Sequence, residues 1–152
     1  MIILGANVQL LLGWILIIFP GILFLAQVIS SINFSLAQKL GLQENPNESD
    51  PLLQRAEQYV AYWDLVTLVW LPISGVLMVL NHSYWPIVAL FGGAIYIDTA
   101  GREAAKILSF KHEGLRLGSA KQQRLFFSTY IIMAVLGTAV VVYALEALCT
   151  VA

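Results

Sequence analysis

Asp98 and Arg102 stand four residues apart in "IYIDTAGREAAK", within a segment that begins as apolar as a membrane span. Ionisable side chains at membrane depth are rare and mark proton, ion or substrate pathways. With the acid N-terminal at i,i+4, the two side chains meet on one helix face in the better orientation. Asp64, which follows Tyr62 and Trp63 at the entry of another apolar stretch, is the third candidate. An ion or proton site would use all three. The alternative, preferred here, is structural: a local Asp98–Arg102 pair near the interface, and Asp64 touching headgroups and water.

The remaining chemical inventory is thin. His82 and His112 are the only histidines, and the topology argued below separates them, so they cannot share a metal. The single cysteine, Cys149, cannot form an internal disulfide and reads as an inert thiol. No HExxH, CxxC, GxSxG or Walker pattern occurs. Asp64 with Asp98 is the one acid pair a membrane enzyme could use, and nothing in the spacing brings them together. Asn7, Gln9 and Gln27 read as hydrogen-bonding glue between helices, and Glu146 as a solvated acid at the far interface. The Asn-x-Ser triplets at Asn33, Asn47 and Asn81 read as chance matches. No basic cluster with interleaved aromatics suggests nucleic acid, and no residue demands a metal, pigment, lipid or other cofactor.

Composition says what must position these residues. Of 152 residues, 59% are hydrophobic and 11% charged, whereas a soluble domain is about a quarter charged. No charged side chain occurs from Met1 to Gln38 or from Leu65 to Ile97. About 20 apolar residues cross a bilayer core of about 30 Å. The expectation is an all-α, multi-pass integral membrane protein: one bundle of four transmembrane helices. Its spans are about 2–32, 62–80 with a cytoplasmic extension from 51, 86–106 and 120–146. The first apolar run is too long, and too free of basic residues, for a cleaved signal peptide, so it is read as a retained span.

Local signals support these bounds. Asp50-Pro51 reads as an N-cap followed by proline at the first helical position, and "SAKQ" from Ser119 as a capping box. Pro20-Gly21 predicts a kink in the first span and Pro72 a bend in the second. A short surface helix is expected over Leu36 to Leu42. All eight basic residues fall in the regions after the first and third spans. The positive-inside rule therefore makes those regions cytoplasmic and puts both termini on the other side.

The third span is expected to be short in lipid and long overall. Twelve steps from Pro86 to Asp98 rise about 18 Å, roughly 12 Å short of the inner boundary. Asp98–Arg102 and Glu103–Lys106 pairs would carry the helix on to about Phe110. Small residues at Ala89, Gly93, Ala100, Gly101, Ala104 and Ala105 predict close helix packing along it. The functional expectation is a non-catalytic subunit or assembly factor of a larger membrane complex, meeting other subunits or itself through the third span. The alternative is a small oligomeric transporter or ion pathway using Asp98, Arg102 and Asp64.

Overall fold

A chain start without charge and rich in leucine and isoleucine has no reason to leave the helical state once in lipid. The computed structural model describes residues 2–151, with the side chains of residues 7–150. Helix α1 spans Ile2–Ile32 and runs through Pro20 without a break. Asn33 then caps α2, Phe34–Lys39, by accepting the Leu36 amide at 3.0 Å. The cap starts this helix two residues earlier than expected. It ends before Gly41, whose φ of 74° is left-handed.

Helix α3, Pro51–Thr67, begins as its sequence demands, with Asp50 accepting the Leu52 amide at 2.9 Å. Helix α4, Trp70–Val79, continues it after an interruption at Leu68 and Val69. The interruption lies just upstream of Pro72, which has no N–H for the Leu68 carbonyl and crowds it. Helix α5 spans Trp85–His112 and stops before Gly114, at φ 75°. Helix α6 spans Ala120–Val151. At its start the Ser119 and Gln122 side chains each meet the other's backbone amide at 3.3 Å, the reciprocal box expected.

The described chain is all-helical, and three segments are long and apolar enough to cross a membrane: Asn7–Ile32, Pro51–Val79 and Ala120–Thr150. Helix α5 is not among them, because the charges from Asp98 onward cut its apolar run short.

Helix α4 packs between α1 and α5, and α5 packs on α6. Glycines set how closely. A Cβ added at Gly75 would lie 2.7 Å from the Gly13 carbonyl oxygen, and one at Gly137 would lie 2.7 Å from that of Gly93. The neighbouring Gly92 meets the other side, where an added Cβ would come 2.9 Å from the Leu71 amide nitrogen. Two adjacent glycines thus let α5 approach α4 and α6 at once. Of the expected small-residue stripe, Ala89, Gly93 and Ala100 are buried and Ala104 is half-buried. Gly101 and Ala105 face outward instead, and nothing lies within 4 Å of a Cβ added at Gly101. A single stripe cannot serve both neighbours of a sandwiched helix, so the close contacts divide between two faces.

At one end of the molecule the Gln9 amide donates to the Met78 carbonyl at 2.9 Å and to Asn81 Oδ1 at 3.2 Å. At the other end the two long loops are tied together. The Asp50 amide donates to the Arg116 carbonyl at 2.8 Å and the Gly118 amide to that of Glu48 at 3.1 Å, around a Ser49–Leu117 bridge. Leu53, Ile107 and Leu117 form a small apolar cluster beneath this tie.

Candidate cation site

Helix α3 buries Leu53, Glu57, Ala61 and Asp64, spaced by four, four and three residues. That spacing is one helical face, so two acids are interleaved with apolar residues on the side that packs inward. Helix α5 answers with Thr99, Glu103 and Lys106. The Lys106 ammonium lies 2.7 Å from Glu57 Oε1 and also pairs with Glu103, one turn away on its own helix. A fourth acid, Glu44, comes from the loop after α2 and is 3% exposed.

The loop is held over the site at both sides. Gln43 donates to Ser30 Oγ of α1 at 3.2 Å, and Gln122 of α6 donates to the Gln43 carbonyl at 3.3 Å. Gly118, at φ 79°, passes directly behind, where an added Cβ would come 3.3 Å from Glu44 Cγ. Burial, then the Glu57 charge, pushes the Glu44 carboxyl up to about 7, against a backbone hydrogen bond and Lys106.

These groups surround a cavity of about 200 Å³. Its lining includes the buried Glu44, Asp64, Thr99 and Glu103 and the half-buried apolar Leu23 of α1 and Phe126 of α6. The cavity exists because α1 and α6 both border it yet barely touch each other. Among the described residues, Gln27 Oε1, Glu44 Oε2, Asp64 Oδ1 and Thr99 Oγ1 are buried around it without a protein hydrogen-bond partner. Buried polar atoms are nearly always satisfied, and an unmet one costs about 1–3 kcal/mol. Four around one cavity, from α1, the loop after α2, α3 and α5, leave acceptors open to a hydrogen-bond donor.

Asp98 and Arg102 are not part of it. Both face outward, and among the described residues they form no ion pair with each other. Glu103 lies about 140° round the helix from Asp98 at 100° per residue, so the inward acid of α5 and its outward one belong to different faces. Asp64 lines the cavity, 2% exposed, with its side chain turned inward and away from the face that carries Asp98. Gln27, expected to bond another helix, lines the cavity instead. The Glu103–Lys106 pair forms as its spacing requires, and Glu57 is the partner that spacing could not reveal. His82, His112 and Cys149 are exposed. Among the described residues no three His, Cys, Asp or Glu side chains converge as a metal centre needs.

No family model, curated protein or solved structure matches this chain. The chemistry of the cavity therefore stands on its own geometry: four carboxylates, one ammonium already engaged by two of them, and an excess of acceptors.

Proposed function

We propose that this chain is a four-span membrane protein whose acid cavity binds a cation, as part of a proton or ion pathway, without covalent chemistry. In this reading α5 is the third span and forms a four-helix bundle with α1, α3–α4 and α6. Both termini lie on the non-cytoplasmic side and the tied loops on the cytoplasmic one. Counting 1.5 Å per residue from Leu80 and from Pro86 puts Asp64 and Glu103 about 24 and 26 Å into a core of about 30 Å. They share one level, within a turn of the cytoplasmic boundary.

The observation that carries the reading is the pair of acids left over: Lys106 serves Glu57 and Glu103, while Glu44 and Asp64 are buried with unpartnered oxygens. Ionised acids in such surroundings need a positive charge or a proton. Proton and cation flux into liposomes holding the purified protein tests this. Asp64→Asn should abolish the flux and Asp98→Asn should leave it intact. Equal flux in both variants and wild type would overturn the reading.

A second reading, a non-catalytic subunit or assembly factor, is favoured by the outward face of α5. Ile87, Phe91, Asp98, Arg102 and Ala105 are exposed along it, and a lone acid facing hydrocarbon is costly. A neighbouring membrane subunit, or a second copy, would cover it. Native gels of the protein extracted in mild detergent, with identification of whatever comigrates, separate the two cases. Migration as a bare monomer would remove this reading.

A further inference from the structure

The four unpartnered atoms share a property beyond number: each is an oxygen able to accept a hydrogen bond. A bare metal ion would need several of the acids to converge, and no three do among the described residues. The wall beside the acids is apolar and aromatic, with Phe126, Tyr130 and Met133 of α6 facing Leu23 and Ala26 of α1. Aromatic faces attract cations as well as apolar groups.

We infer that the cavity is a binding site for a small primary organic ammonium ion, an amine of about ten heavy atoms with an apolar tail, admitted between α1 and α6. This rests on the reading of the cavity as a cation site. Three N–H donors on one nitrogen match acceptors that are spread around a wall, and a quaternary ammonium has none to give. The positive charge answers Asp64 and Glu44, while the tail lies against Phe126 and Met133. A volume of about 200 Å³ admits a group of this size. The acid lining repels a phosphate, so the ligand is a free amine and not an aminophospholipid headgroup.

The test uses the full chain in phosphatidylcholine nanodiscs at pH 7.5, titrated calorimetrically with 2-phenylethylamine. Saturable binding is expected, at least tenfold weaker for 2-phenylethanol and for the trimethylammonium analogue. Asp64→Asn and Glu44→Gln should each weaken it at least tenfold. Gln27→Leu, at a half-buried lining residue outside the ion pairs, should also weaken it and keeps the test open where an acid variant does not fold. Equal affinity for the trimethylammonium analogue, or binding indifferent to all three substitutions, would overturn the inference. Competition by phosphatidylethanolamine added to the nanodisc would overturn it in favour of a lipid headgroup. Asp64-dependent proton or sodium flux without amine binding would overturn it and leave the broader proposal standing. Absence of both would end the two together.

Discussion

Glu44 is the one acid of the cluster that lies in a loop, and its carboxyl, raised to about 7, links the fold to pH. An acid that holds its proton more tightly when folded favours the folded state fully below its unfolded value, about 4.5 here. That contribution is lost as pH rises through about 7. Glu57 and Glu103 add to this rise through their charges, and Lys106 opposes it. In detergent the melting temperature should therefore fall between pH 5 and pH 8. Glu44→Gln should flatten the profile by removing the proton that is released. An unaltered slope in that variant would place the carboxyl in water. Glu57 and Asp64 could have been found from the sequence, because Leu53 and Ala61 share their helical face. No signal marks Glu44: an acid in a polar loop looks the same whether solvated or folded back under two glutamine hydrogen bonds.

Between elements, the decisive contacts are backbone against backbone. Gly93→Leu should destabilise the protein by about 1–3 kcal/mol or more through overpacking, because the added side chain meets the Gly137 carbonyl. Gly101→Leu, with open space around it, should leave monomer stability nearly unchanged. Thermal denaturation of both variants checks the contrast. If the two melt alike, the α5–α6 approach is looser than these distances. The start of α3 was legible from its Asp50 cap, whereas the Asn33 cap and the Gly41 stop of α2 were not read, because the polar loop around them offers several such residues. Which side of α5 meets which neighbour was not legible either. Small residues occur all round that helix, and spacing alone cannot say that Gly92 serves α4 while Gly93 serves α6.

For the whole molecule, orientation is the proposal most open to direct chemistry. Cys149 is exposed and stands alone, near the end of α6. A membrane-impermeant maleimide should label it in intact cells, whereas Cys149→Ser carrying Ser35→Cys should react only after permeabilisation. The reverse pattern would invert the topology. The tendency to enter a membrane was legible from charge-free runs alone, while the cavity was not, since it depends on α1 and α6 failing to close over α3 and α5. The ion triad has a further consequence, for synthesis. Glu57 and Lys106 are 49 positions apart (106 − 57), so at about 5–20 residues per second the ribosome makes the glutamate about 2–10 s before its counter-ion. During that interval the inner face of α3 carries Glu57 without the ammonium that pairs with it in the folded chain. In the proposed topology Glu57 stands about 35 Å from Leu80 at 1.5 Å per residue, beyond a core of about 30 Å, so it can wait in water and the ion triad closes only once α5 has been made.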